Sequence, residues 1–199
     1  MNRKINTDAG MERKKAVKKL YHDEIKREII RIGDESAGFV REIGSAIWEF
    51  AETARTEYRS ARFLCNRLEG IGFSVERGVA GFPTGFLAEF HNGEGPAIGL
   101  ICEYDALPGL SSVEPGAPGH GCGHNLYAAG ALGTALILKT VMEKENTPGS
   151  VLVFGTPSEE KGGAKQFYAR QGLFSRADVL FSLHSHALSG VFFRSHNAI

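Results

Sequence analysis

Cysteine, methionine and tryptophan are scarce in this sequence: three, three and one among 199 residues. An odd count of cysteines (Cys65, Cys102 and Cys122) with no export signal in front of them argues against a disulfide scaffold and for thiols or metal ligands. Long hydrophobic runs are missing too. The longest apolar stretch, Leu126 to Leu138, is broken by Gly130, Gly133 and Thr134 and falls short of the ~20 residues that cross a bilayer, so no transmembrane helix is expected. The first twenty residues are rich in Lys and Arg without an apolar core behind them, which is no secretory signal and leaves the cytoplasm as the expected location. Net charge is absent as well, with 23 basic residues against 23 acidic ones. What is present is globular: 42% hydrophobic and 10% aromatic residues suffice for a core of one domain or slightly more.

The zero balance hides an asymmetry. Residues 1–32 hold ten basic and five acidic side chains, and the acidic ones (Asp8, Glu12, Asp23, Glu24, Glu28) are interspersed, which predicts a solvated basic helical arm. With Tyr21 as its one aromatic residue, the arm offers little for bases to stack on, so no nucleic-acid partner is expected, and no membrane partner either. Beyond the arm, Phe39, Val40, Ile43, Ile47, Trp48 and Phe50 recur at helical spacing between Glu35 and Thr53. A second helix is expected from Tyr58 to Leu68, with Ala61, Leu64, Cys65 and Leu68 inward and Gly70 as its stop. Strand-like runs follow at Phe73–Glu76, Gly85–Phe90 and Ala97–Cys102. A Gly/Pro/Ser-rich loop, Pro108 to Gly123, leads to a helix from Leu126 to Glu143, a strand Val151–Phe154, a helix Ala164–Gln171 and a strand Val179–Leu183. Helices alternating with apolar strands predict an α/β fold, with a mostly parallel or mixed central sheet and helices on both faces.

Chemistry-bearing residues gather where these elements stop. Glu103-Tyr104-Asp105 follow the third strand, Pro157-Ser158-Glu159-Glu160 the fourth, and His184-Ser185-His186 the fifth, at the carboxyl ends where open α/β sheets form sites. His120-Gly121-Cys122-Gly123-His124-Asn125 stands just before a helix, whose unpaired amides and dipole bias a cysteine toward thiolate, the metal-binding form. Two adjacent carboxylates in one low-dielectric pocket are costly unless one binds a cation and the other exchanges a proton, which a metal centre resolves. Taken singly, Glu-Glu is a common exposed loop, Asp105 a turn cap, and His184 or His186 a hydrogen-bonded histidine; the four groups coincide at the ends of ordered elements. A nucleophilic Cys122 with His124 as base is disfavoured, since one Cys-Gly-His turn suits chelation better.

The sequence Glu103-Tyr104-Asp105-Ala106-Leu107-Pro108-Gly109-Leu110, with Gly119-His120-Gly121-Cys122-Gly123-His124-Asn125-Leu126, Pro157-Ser158-Glu159-Glu160 and His184, resembles the M20 family of metallopeptidases and amidohydrolases, specifically its amidohydrolase branch, subfamily D. The resemblance runs from about Glu35 to the last residue and implies the following. The fold is a zinc-peptidase-like catalytic domain, of which residues 33–199 form the amino-terminal part. Cys122, His124, Glu160 and His184 are metal ligands, with His186 a rival to His184; Glu159 is the general base; Asp105 orients the site. Glu103 stands where other members carry a metal-binding His. Two divalent ions, Zn²⁺ or Mn²⁺, are implied. The reaction is amide hydrolysis of a small molecule such as p-aminobenzoyl-glutamate, a folate breakdown product, or related N-acyl amino acids and dipeptides, with Glu159 taking the proton of the attacking water and returning it to the leaving amine. Dimers of the full-length form are implied, a homologous subunit being one partner.

Members of the family are about twice this length. The sequence stops at Ile199, near where their inserted lid or dimerisation domain begins, so that domain, the returning catalytic segment and a late histidine ligand are expected to be absent, and His196 is no substitute for the latter. Uncovered hydrophobic surface and weak or no activity of this polypeptide alone are the corresponding expectations. The competing readings are a non-catalytic partner or pseudoenzyme that keeps the fold, and a metal-free α/β binding module.

Overall fold

A computed structural model describes residues 22–184. Most of the basic arm, 1–21, and the residues from 185 on, with His186 and His196, lie outside the described residues. Residues 22–35 are helical (α1) and run without a break past residue 32 to a turn at Ser36. Arg31 pairs with Glu28 and Glu35, and Lys144 reaches back to Glu28, as a solvated helix requires. The helices α2 (Ala37–Phe50) and α3 (Tyr58–Gly70) follow. Ile43 and Ile47 of α2, and Ala61, Leu64, Cys65 and Leu68 of α3, are buried at their helical spacing. Trp48, counted with the buried face of α2 from its spacing, is instead 40% exposed and leans toward the ring of His120.

Five strands form one mixed sheet in the order β1-β2-β6-β3-β7: β1 (Ser74–Arg77), β2 (Phe86–His91), β3 (Ala97–Cys102), β6 (Ser150–Gly155) and β7 (Val179–Phe181). β1–β2 and β2–β6 are antiparallel; β6–β3 and β3–β7 are parallel. Alternation along the strands sorts the core into two halves. Phe86, Ala88, Leu100, Cys102, Val151 and Val153 face α2, α3 and the long helix α4 (His124–Lys144). Leu87, Leu152 and Phe154 face the other way, against Ala164 and Tyr168 at the short helix α5 (Lys165–Arg170). Helices therefore cover both faces, as the sequence predicts.

Three features differ from the sequence reading. The Pro108–Gly123 loop contains a small ribbon, β4 (Leu107–Gly109) paired with β5 (Gly116–Gly119). β7 ends at Phe181, two residues early, and its Val179, Leu180 and Phe181, with Leu183 beyond it, are 40–54% exposed. α4 begins two residues before the expected start and extends over 21 residues, which makes it long and apolar enough by length and composition to cross a membrane. It is a core helix here: Ala128, Leu132 and Ala135 are completely buried between the sheet and α2, against which Gly44 meets Ala129 and Gly133 meets Val40.

Candidate metal centre

β3, β6 and β7 run parallel, so their carboxyl ends open on one edge of the sheet, and the first turn of α4 faces that edge. Glu103 and Asp105 leave β3, Glu159 and Glu160 sit in a single 3-10 turn (Glu159–Lys161) after β6, and His184 follows β7. At Gly123 the backbone takes φ +87°, a left-handed conformation that side chains resist, and this turns the chain sharply from Cys122 into α4. The carbonyl of Cys122 accepts the Tyr127 hydroxyl at 2.8 Å, pinning the turn from within the helix.

The earlier start of α4 makes His124 its first residue, fully buried. Its Nδ1 lies 3.0 Å from both the carboxylate Oδ1 and the carbonyl oxygen of Asp105, so Nδ1 carries a proton and donates it. Nε2 is thereby aimed at the sheet edge, 3.4 Å from Glu103 Oε2 and 3.8 Å from Glu160 Oε1, with no hydrogen bond. Glu160 Oε1 is likewise buried without a hydrogen-bond partner. Donor atoms of Cys122, His124 and Glu160 all lie within 4.8 Å of one another, and His184 Nε2 approaches Cys122 Sγ at 3.7 Å from the open side. Asp105 closes the arrangement from behind: its second oxygen, Oδ2, accepts the Glu160 N–H at 3.0 Å.

The electrostatics express a demand for positive charge. Burial alone would lower the pKa of His124, but the Asp105 hydrogen bond and the charges of Asp105, Glu103 and Glu160 raise it. Burial likewise opposes ionisation of Asp105, and the His124 and Glu160 donors outweigh it, holding the carboxyl below its usual value. Cys122 corrects the expected thiolate bias. Burial and the neighbouring Glu160, Glu159 and Glu103 carboxylates push its thiol up to about 11. Cys122 stands two residues before the first residue of α4, and the dipole's influence falls off within the first turn. A soft sulfur, which a bound cation would deprotonate, an imidazole and a carboxylate converging in this way form a donor set suited to Zn²⁺ and its neighbours, and Nε2 and Oε1, which lack a hydrogen bond, are what a cation would satisfy.

Glu103 lies inside the site, buried, with its second oxygen, Oε1, 2.5 Å from Lys165 Nζ. Lys165, at the start of α5, also reaches Glu159 Oε1 at 3.5 Å. Nothing in the local sequence pattern marks this lysine; it reaches the carboxylates only because α5 folds back across β6. Tyr127 also escapes the sequence reading, although its place three residues after His124 on one helix face is a usable signal. His120, inside the Cys-Gly-His motif, points away: its Nε2 donates to the Ile47 carbonyl at 2.9 Å.

The mixed sheet flanked by helices on both faces matches the fold of solved M20-family structures. Residues 99–190 match the model of Peptidase family M20/M25/M40. The chain is 39% identical over 179 residues to a subunit of the p-aminobenzoyl-glutamate hydrolase of Escherichia coli (strain K12), covering 83% of this chain and 37% of that one. It is 35% identical over 172 residues to Xaa-Arg dipeptidase of Mus musculus, covering 80% and 38%. Among solved structures it shares its fold with a dinuclear metal-binding peptidase of the M20 family from Bacillus subtilis (TM-score 0.63, 23% identity, 81% of this chain and 44% of that one). It likewise shares it with an aminobenzoyl-glutamate utilization protein from Klebsiella pneumoniae (TM-score 0.60, 17% identity, 77% and 45%). The chain thus carries a match to the M20 family of peptidases over residues 99–190 and is similar along most of its length to the relatives named, and it spans somewhat over a third of the length of those curated relatives.

Proposed function

We propose that the protein is a metal-dependent amide hydrolase acting on p-aminobenzoyl-glutamate or a related N-acyl amino acid or dipeptide. The observation that carries this reading is the pair of buried atoms without a hydrogen bond, His124 Nε2 and Glu160 Oε1, within ligand reach of the Cys122 sulfur. Cys122, His124, Glu160 and His184 are the residues that would hold divalent ions, two in number by likeness to the dinuclear relative, with Zn²⁺ or Mn²⁺ suiting the donors. Bound there, such ions would supply the positive charge that polarises an amide carbonyl and acidifies water.

The chain's own residues do the rest. Glu159, beside the donor group and still in contact with solvent, takes the proton of the attacking water and delivers it to the leaving nitrogen, one carboxylate serving first as base and then as acid. Asp105 keeps the imidazole of His124 in the tautomer that presents Nε2. Lys165 restrains both Glu103 and Glu159 from the α5 side. The substrate class is supported by the name of the 39% identical relative, and that relative's being one subunit of its hydrolase supports assembly with another subunit.

The test is elemental analysis after dialysis, followed by hydrolysis of p-aminobenzoyl-glutamate in the presence of Mn²⁺ or Zn²⁺, for the protein and its Glu159→Gln variant. Metal retained by both, with weak turnover by the protein alone and turnover lowered by roughly a further 10²–10⁴-fold in the variant, is the expected result. A protein that retains no metal, or a variant that turns over as fast as the parent, overturns the reading; metal retention without turnover in either favours a non-catalytic member that keeps the fold.

A further inference from the structure

Glu57 is a carboxyl group with no exposure to solvent, and no part of the proposed reaction uses it. It stands just before α3 without capping that helix. Its side chain turns inward instead and gathers three donors, one local and two from distant parts of the chain: the Arg55 N–H and the Ser158 N–H, both at 2.9 Å to Oε1, and the Thr84 hydroxyl at 3.1 Å to Oε2. Burying a carboxyl is costly, and three donors are what make it tolerable. One of them has a functional address. Ser158 immediately precedes the Glu159–Glu160 pair, is fully buried, and holds φ +64°, ψ 34°, a left-handed conformation that a serine adopts only at a cost. That kink turns the chain out of β6 so that the two glutamates enter the site.

The turn is gripped from both sides by buried carboxyls. Glu57 accepts the N–H of Ser158 and Asp105 accepts the N–H of Glu160, with Glu159 between them. We propose that Glu57 is a positioning residue, whose hydrogen bond to Ser158 holds the strained turn that delivers Glu160 to the metal and Glu159 to the substrate. The inference rests on the metal-hydrolase reading.

The experiment is Co²⁺ titration of the full chain, followed by visible absorption. The thiolate-to-cobalt charge-transfer band reports Cys122, and the ligand-field bands report how many donors join it. Glu57→Met fills the same volume without an acceptor, whereas Glu57→Gln keeps an oxygen for the Ser158 N–H. Glu57→Met is expected to weaken Co²⁺ binding roughly 10–100-fold, with altered ligand-field bands and the charge-transfer band retained; Glu57→Gln is expected to bind as the parent does. A residue that only anchors α3 would lower the melting temperature of Glu57→Met and leave the affinity and spectrum of the folded protein unchanged, which overturns the proposal. Should Glu57→Met fail to fold, Glu57→Asp, which withdraws the acceptor while keeping the charge, decides on the same criteria. Absence of Co²⁺ uptake by the parent chain overturns the metal-centre reading itself; uptake equal in parent and variants overturns the Glu57 inference alone.

Discussion

At the scale of single residues, the site depends on the orientation of one imidazole. His124 has no freedom: Asp105 accepts from Nδ1 with both a carboxylate and a carbonyl oxygen, and the helix start fixes the ring from the other side. Asp105→Asn would preserve the shape but cannot preserve both bonds of that carboxylate, because an amide group facing either the Glu160 N–H or the His124 Nδ1–H replaces an acceptor with a donor. The expected outcome is a roughly 10–100-fold loss of Zn²⁺ affinity by calorimetric titration with the fold retained. Unchanged affinity would remove Asp105 from the positioning role.

At the scale of elements, β6 does more than fill the centre of the sheet. Its last residue, Gly155, lies opposite Phe86 of β2, and a Cβ there would stand 2.2 Å from the Phe86 ring, which is itself stacked on Tyr104. No larger residue fits without displacing a fully buried aromatic pair. Gly155→Ala is expected to cost about 1–3 kcal/mol in urea unfolding, the range for overpacking a close-packed interior. Because Gly155 leads directly into Thr156, Pro157 and the Ser158 turn, the same substitution is expected to weaken metal binding as well. Measured stability equal to the parent's would show that Phe86 can move aside.

For the molecule as a whole, the core carries an unusual load of groups that must keep their protons. Burial pushes the Cys65 thiol up to about 11 and drives Cys102, Tyr104 and Tyr168 upward as well. Below the pKa of the unfolded chain both states are protonated and these groups contribute nothing to the pH dependence. As pH rises past that value, the unfolded chain ionises while the folded one does not, so stability falls until the folded pKa is reached. Each such group lowers stability by up to about 1.4 kcal/mol per pH unit within its window. The thermal midpoint of the chain is therefore expected to drop steadily between about pH 9 and about pH 11, the span between the ordinary thiol value and that of buried Cys65. A midpoint constant over that span would show that the buried thiols and phenols are reached by water.

The sequence by itself determined what depends on local order. Helix spacing gave α2, α3 and α4, apolar runs gave the strands, and residues following strand ends marked Glu103, Asp105, Glu159, Glu160 and His184 as one group with Cys122 and His124. These were legible because strand ends in an α/β sheet converge whatever the intervening loops do. Tertiary structure alone decided the rest. It set the antiparallel placement of β1 and β2, the ribbon hidden in the Gly/Pro/Ser-rich loop, the sign of the Cys122 shift, and the reach of Lys165 and Glu57 into a site built from residues about 60 to 100 positions away. The reason is physical: periodicity records which face of an element is buried, whereas a charge-to-charge or hydrogen-bonded contact depends on distances of about 3 Å between elements whose packing no local pattern encodes.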